Sequence, residues 1–315
     1  MTSDNSTLLI SVVIATYNGE RFIGKQLDSI LAQTYTNIEL VVVDDCSTDS
    51  TVSILNEYAS RFSNIHVYIN EHNLGYVKNF EKGMLLAKGD FIAPSDQDDI
   101  WLPKKLEILM SEIGDNAIVY CNSELIDDED NLVGRKLSEV KKLISFNDCL
   151  NYTVGNSAPG HGMLFPKKLV TDSVPLPTMI PHDYWLGFVA TFYSQLKYID
   201  QPLVLYRQHN ANVFGAAKIK SADGTAPIRK KKTTAEEIEL AKQRMQLMYK
   251  KCPADLAEQK NVFRLLNKSY RGFSLSNNWL RMVIFFRYNK TILAFKRRNL
   301  FRRWLYCLKM FVKIV

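Results

Sequence analysis

Four apolar runs in the first hundred residues each end in a polar cluster, and the first three lead on into apolar residues at helical spacing; this alternation narrows the choice of fold more than any other feature. LLISVVIAT, from Leu8, closes at Tyr17-Asn18-Gly19, and FIGKQLDSILAQT then sets Phe22, Ile23, Leu27, Ile30 and Leu31 on one helical face. IELVVVDD is followed by Ser47-Thr48-Asp49-Ser50-Thr51, a polar cluster suited to cap the helix VSILNEYASRF. IHVYIN leads through His72-Asn73-Leu74-Gly75 to a helix over 77–87, and DFIAP ends in Ser95-Asp96-Gln97-Asp98-Asp99. Such strands, apolar on both faces and separated by helices, imply an α/β fold with a mostly parallel sheet between helix layers. Ligands bind beyond the carboxyl ends of the strands of such a sheet, so Thr16-Tyr17-Asn18, Asp44-Asp45 and the Asp96–Asp99 cluster are predicted to share one crevice.

Further on, AIVYCNSELID reads as another strand. Residues 130–160 are less regular and lead into the turn-rich Pro159-Gly160-His161-Gly162. A helix beginning at His182-Asp183 precedes the strand KYIDQPLVLYR. The Gly-, Ala- and Lys-rich stretch 215–233 reads as a mobile loop, and helices follow from 234 to the end. With 315 residues, about two domain lengths, the chain divides into 1–233 and 234–315.

Charge separates these parts. Residues 1–258 hold 26 basic against 33 acidic groups, whereas 259–315 carry fourteen Lys and Arg and no acidic side chain. Such a tail suits an anionic partner, lipid head groups or nucleic acid. Five cysteines without a CxxC pair fit a reducing compartment. The N-terminal stretch lacks a secretion signal, since Asp4 stands where a basic region belongs, and no segment supplies the roughly 18 uninterrupted apolar residues of a spanning helix.

The carboxylates of Asp96, Asp98 and Asp99 repel one another, and a divalent cation relieves that repulsion while leaving positions open for phosphate oxygens; a solvated turn before Pro103 is the plainer alternative. A carboxylate at Asp45 can accept from a ribose hydroxyl or a pyrimidine N–H, and Tyr17 can stack on a base; a cap and a half-buried tyrosine are the plainer readings of each alone, and the shared character of three strand ends favours the ligand reading. Asp183, at a helix start beside Trp185, suits general base work or a helix cap. His209 can offer a nitrogen to Mn²⁺ or Mg²⁺ and Arg207 can face a diphosphate, while His66, His72 and His161 read as structural. GxGxxG after the first strand, GxxxxGK[ST], GxSxG and HExxH are all absent, which removes the usual supports of hydride transfer, P-loop phosphoryl transfer and serine hydrolysis.

The ordered succession SVVIATYNGERFIGKQLDSILAQT, VVVDDCSTDST, NLGYVKNF, AKGDFIAPSDQDDIWLPKKLE, GHGMLF and HDYW resembles glycosyltransferase family 2, inverting enzymes of the GT-A fold, over about residues 9–212. TYNG, SDQDDIW and HDYW are most similar to bacterial rhamnosyltransferases of surface polysaccharide assembly. The resemblance implies a GT-A domain over 1–233, with a nucleotide-binding half over about 9–128, an acceptor-binding half over about 129–214 and the loop 215–233; residues 234–315 form a helical basic region. It also implies that Ala15, Thr16, Tyr17 and Asn18 line the nucleotide pocket and that Asp45, supported by Asp44, bonds the pyrimidine N–H. Asp96 would lie near the ribose or the metal, and Asp98 would hold Mn²⁺ or Mg²⁺ directly, with His209 as a further contact. Asp183 takes the place of the base in the family's acidic ED motif, where His182 replaces the usual Glu, and the family's QxxRW motif is absent as such. His182, Trp185, Gly160 and Arg207 are candidates for acceptor or diphosphate contacts.

The implied donor is a UDP- or dTDP-linked sugar, dTDP-rhamnose first, and the acceptor a saccharide or polyprenol-linked saccharide. A UDP-hexose or UDP-N-acetylhexosamine transferase of the same fold is the alternative. A sugar-phosphate nucleotidyltransferase is more distant, because TYNGERF lacks its Gly-rich basic signature. The tail interleaves Lys and Arg with Trp, Phe, Tyr and Ile, which suits an anionic membrane leaflet; helices packed on the catalytic part or on a second subunit are the alternative. Nucleic acid is not expected as a partner, given the acidic first 258 residues. A cytoplasmic protein, peripheral on the inner face of the membrane, follows from these readings, with homo-oligomerisation left open.

Overall fold

The computed structural model describes residues 8–208, 234–272, 274–296 and 299–312. His209 and the stretch 215–233 lie outside the described residues. Strands β1 (Ile10–Thr16), β2 (Ile38–Asp44), β3 (Ile65–Ile69) and β4 (Phe91–Ser95) are parallel in the order β3-β2-β1-β4. The sheet continues through β8 (Met163–Pro166), β6 (Ile118–Ile126), β9 (Leu196–Arg207) and β5 (Ile100–Trp101), with β7 (Leu132–Lys136) beside β6. This second half is mixed: β8 is antiparallel to both β4 and β6, β6 is parallel to β9, and β5 is antiparallel to β9. A tight turn joins β6 to β7, and so short a connection permits only an antiparallel pair.

The apolar runs are buried on both faces because helices cover both. Val13, Val41, Val43 and Ile92 point to one face, packed with Val77, Phe80 and Met84 of α3 (Tyr76–Leu86). Val12, Ile14, Leu40 and Val42 point to the other, with Leu27 of α1 (Ile23–Leu31), Leu55 of α2 (Thr51–Arg61) and Leu109 of α4 (Lys105–Ile113). Alternation along an extended strand makes this two-sided core out of a continuous apolar run. At Gly83 a Cβ would lie 2.6 Å from Val13 Cγ1, so α3 sits close to the sheet only because that side chain is missing.

Between β7 and β9 the chain forms α5 (Leu137–Val140), two short 3₁₀ turns at Cys149–Thr153 and Gly160–Gly162, α6 (Lys168–Ser173) and α7 (His182–Ala190). The C-terminal helices are α8 (Thr234–Lys251), α9 (Ala257–Tyr270), α10 (Leu275–Arg287), α11 (Asn289–Ile292) and α12 (Leu300–Val312). They share the first core: Phe263 meets Phe188 of α7 edge to face at 5.6 Å, and Phe295 meets Phe146 at 4.7 Å. Among the described residues, no helix is long and apolar enough to cross a membrane.

Candidate active site

Parallel register brings the strand ends together. Thr16 pairs with Asp44 across β1 and β2, and Ile14 with Ser95 across β1 and β4, so the residues just beyond emerge side by side. They open onto a crevice of about 1280 Å³ lined by Ala15, Thr16, Tyr17, Asn18, Asp45, Asp96 and Asp98, and across from them by Gly160, His182 and Asp183.

The nucleotide side is built by hydrogen bonds between turns. Asn18 has a left-handed φ of 48°, a conformation asparagine tolerates; its amide donates to Ser47 Oγ (2.8 Å) and its side-chain oxygen accepts from the Thr48 amide (2.9 Å). Gln97 clamps Tyr17 in both directions, accepting from its amide and donating to its carbonyl (2.9 and 3.1 Å), which leaves the ring half exposed. Asp45 is buried and accepts from Asn70 Nδ2, the Leu74 amide and the Gly75 amide, so it holds the 70–75 loop as well as forming wall. A carboxylate offers about four acceptor positions, and one remains for a ligand donor. Asp44 differs from expectation: it is fully buried behind the wall, its oxygens taken by Thr16 Oγ1, Ser47 Oγ and the Ser47 amide.

At the acidic turn the carboxylates separate into two environments. Asp98 lines the crevice, and its carbonyl accepts from Arg207 Nε at 2.7 Å. Asp99 turns inward: Oδ1 accepts from the Arg207 amide, and the buried Oδ2 has no hydrogen-bond partner. His161, 4% exposed, meets Ser123 Oγ through Nε2 at 2.9 Å and presents Nδ1 at 3.8 Å to both Asp96 Oδ2 and Asp99 Oδ2. Asp96, Asp99 and His161 thus offer ligand atoms within 4.8 Å of one another. Two carboxylate oxygens and one imidazole nitrogen fit Mn²⁺ or Mg²⁺, and the orphaned Asp99 oxygen is what a cation would satisfy. The sequence expectation sets Asp98 and His209 beside Asp96; among the described residues Asp99 and His161 form the cluster with Asp96, Asp98 lines the same crevice, and His209 lies outside the described residues. Arg207 anchors the Asp98 backbone, and the 160–162 turn carries the histidine in from a distant segment.

Burial and the neighbouring Asp98 and Asp96 charges push Asp99 well above the usual carboxylate range. Burial also works against the Asp96 carboxylate, but His161, His182 and Lys105 together hold it below its ordinary value. Lys105 is fully buried, donating to the His161 carbonyl at 2.7 Å with its ammonium 3.0 Å from the Trp101 ring centroid, and burial brings it down to about 7.

On the acceptor side, Asp183 lies in the first turn of α7; Oδ2 accepts from Asn156 Nδ2 and Oδ1 from the Tyr184 amide, each at 2.7 Å. His182 stacks on Phe80 at 3.9 Å with both ring nitrogens buried and without a hydrogen-bond partner, and burial holds it below its ordinary value. Gly160 makes room, since a Cβ there would lie 2.8 Å from His182 Nε2. Two candidates do not reach the crevice. Trp185 is buried with Nε1 donating to the Ser173 carbonyl, because two residues along a helix from Asp183 place it about 200° around the axis, toward the core. Arg207 is fully buried, donating to the Asp98, Asp127 and Asp128 carbonyls and pairing with Asp130, which leaves no guanidinium edge for a diphosphate. Gln97, Asn156, Tyr76 and Lys141 line the crevice without having been singled out from the sequence. The glycines flanking His161 were the available sign that its backbone passes close to something.

The family model for Glycosyl transferase family 2 matches residues 11–172. The chain is 31% identical over 222 residues to a dTDP-rhamnosyl transferase, RfbG, of Shigella flexneri, covering 64% of this chain and 74% of that one. It is 32% identical over 180 residues to a UDP-Glc:alpha-D-GlcNAc-diphosphoundecaprenol beta-1,3-glucosyltransferase, WfgD, of Escherichia coli, covering 56% and 68%. The chain spans about two thirds of the length of several curated relatives it matches. A structure of S. aureus TarS 1-349 in complex with UDP-GlcNAc superimposes with a TM-score of 0.56 over 98% of this chain and 82% of that one, at 19% identity, a likeness of fold.

Proposed function

Since the chain belongs to glycosyltransferase family 2 and has the GT-A fold, we propose that it transfers a sugar from a nucleoside diphosphate to a hydroxyl of a saccharide or lipid-linked saccharide, with inversion at the anomeric carbon. The observation that carries this reading is the single crevice in which the ends of β1, β2 and β4 face the start of α7. Tyr17 stacks on the base, Asp45 accepts the pyrimidine N–H at its remaining position, and Asp96 faces the ribose and diphosphate. Asp183 takes the proton from the acceptor hydroxyl as that oxygen bonds to the anomeric carbon and the bond to the nucleoside diphosphate breaks. Asn156 orients its carboxylate. A divalent cation, Mn²⁺ or Mg²⁺, would be held by Asp96 with Asp99 and His161, Asp98 adding a further oxygen, and when bound it supplies charge stabilisation to the departing diphosphate.

Rhamnose from a dTDP donor is the favoured sugar, supported by SDQDDIW and HDYW and by the likeness to RfbG. A UDP-linked hexose or N-acetylhexosamine is the competing donor, favoured by the likeness to WfgD. Residues 1–233 form the catalytic unit and 234–315 a basic region that meets an anionic membrane leaflet, which makes the protein peripheral on the inner face of the cell membrane. Melting the protein with UDP-, dTDP- and GDP-sugars, with and without Mn²⁺, tests the reading, because a ligand that binds only the folded state raises its melting point. A pyrimidine diphosphate sugar should give the largest shift, with a Mn²⁺-dependent part that disappears in Asp96→Asn; equal, negligible shifts for all donors would overturn it.

A further inference from the structure

We infer that the paired helices α10 and α12 form a membrane-docking face whose apolar side chains enter an anionic leaflet while the surrounding cations meet its head groups. The inference deepens the proposed membrane partner and stands apart from the crevice chemistry. A surface helix normally turns its apolar stripe toward the core. In α12 the buried residues are Cys307 and Met310, while Phe301, Trp304, Leu305 and Leu308 recur at helical spacing and are 47% to 70% exposed. In α10, Trp279 and Val283 are likewise exposed, opposite a buried side made by Asn278, Arg281, Ile284 and Phe285.

The two stripes adjoin. Phe286, one turn beyond Val283, meets the edge of Trp304 at 6.3 Å, while at the other end Arg281 Nε donates to the Met310 carbonyl at 3.0 Å. Arg281 is fully buried, and it also donates to the Ser269 carbonyl and Asn278 Oδ1, so the pair is a fixed surface locked to α9. Elsewhere among the described residues the exposed large apolar side chains, such as Leu85 and Leu132, stand in separate elements, as single exposed apolar residues commonly do.

Charge selects the occupant. Arg271, Arg287, Lys290 and Arg302 are exposed around the stripes, and no acidic side chain follows Glu258. A second copy would bring two cationic rims together, and a nucleic acid, whose bases stack on aromatic rings, would leave the aliphatic Val283, Leu305 and Leu308 unmatched. An anionic bilayer satisfies both parts: tryptophan favours the interfacial region, and basic residues are drawn to the head groups.

Cutting the chain before α12 would strip Cys307 and Met310 from the core, so surface substitutions in the full chain make the test. Vesicles of phosphatidylcholine and phosphatidylglycerol in equal parts should bind the protein at least about tenfold more tightly than phosphatidylcholine alone, with binding weakened by salt. Tryptophan emission should shift to the blue on binding, since Trp101 and Trp185 are already buried and Trp279 and Trp304 are exposed. Phe301→Glu/Leu308→Glu should lose this binding by about tenfold or more, keep its melting temperature and keep the donor-induced melting shift. Equal binding to both vesicle types, undiminished binding by the double variant, or a dimer dissolved by the same substitutions would overturn the assignment. Loss of the donor shift in the unaltered protein would count against the transferase reading instead.

Discussion

Replacing Asp183 by Asn separates its proposed chemistry from its structural duty. Both carboxylate oxygens receive N–H donors, from Asn156 Nδ2 and from the Tyr184 amide. An amide has one oxygen, so Asp183→Asn sets its own N–H₂ against one of these donors and strands it; an unmade hydrogen bond of this kind costs about 1–3 kcal/mol. With an unfolding entropy of about 2.1 cal/mol/K per residue, that corresponds to a melting temperature lower by roughly 2–4 °C. A general base contributes about 10²–10⁴ in rate, or roughly 3–5 kcal/mol of barrier, and this should be lost in full. The double variant Asn156→Asp/Asp183→Asn reverses the polarity of the side-chain pair: the new carboxylate at 156 accepts from the new amide at 183 and still accepts from the Ala158 amide, as Asn156 does now. Release of nucleoside diphosphate in the presence of a saccharide acceptor, with melting in parallel, reads both quantities. The single variant should lose turnover and a few degrees of melting while keeping the donor-induced shift. The double variant should recover the degrees and not the turnover. Turnover in the single variant within tenfold of the unaltered protein, or its recovery in the double variant, would refute the assignment of the base to position 183.

Arg207→Lys keeps the charge but should destabilise the protein by about 1–3 kcal/mol, the cost of stranding a buried hydrogen-bonding group, because an ammonium cannot reach the Asp98, Asp127 and Asp128 carbonyls together with Asp130. Urea unfolding reads it, and an unchanged midpoint would show that the guanidinium is not the clamp. His182 predicts an acid-side instability: its folded value lies below the unfolded 6.5, so the unfolded chain binds the extra proton and stability falls as pH drops below about 6.5. His182→Phe, which keeps the stack on Phe80, should flatten that part of the melting-temperature profile; an identical acid limb would mean that other groups cause it.

Much of the fold is legible in the chain because the apolar runs at β1 and β2 lie in a sheet buried on both faces, so a local pattern reports a global layer. The GT-A class and family follow from ordered motifs of the same kind. The second half of the sheet was less visible, since β8 is four residues long and reached through an irregular segment whose placement depends on partners far away in sequence.

Residue type and local spacing determine where strands end, which side chains there carry charge, and that the last helices are cationic and amphipathic. Direction is settled only in three dimensions. Asp98 and Asp99 are neighbours of the same chemistry, yet one lines the crevice and the other turns inward to His161, because the Arg207 amide and Nε pin the turn between them. Asp44 and Arg207 have the right character for ligands and are consumed by the frame. In the same way the outward stripe of α12 follows from which of its faces Arg281 and the core claim first. Burial is scarce, and packing rather than composition decides which of several equivalent groups receives it.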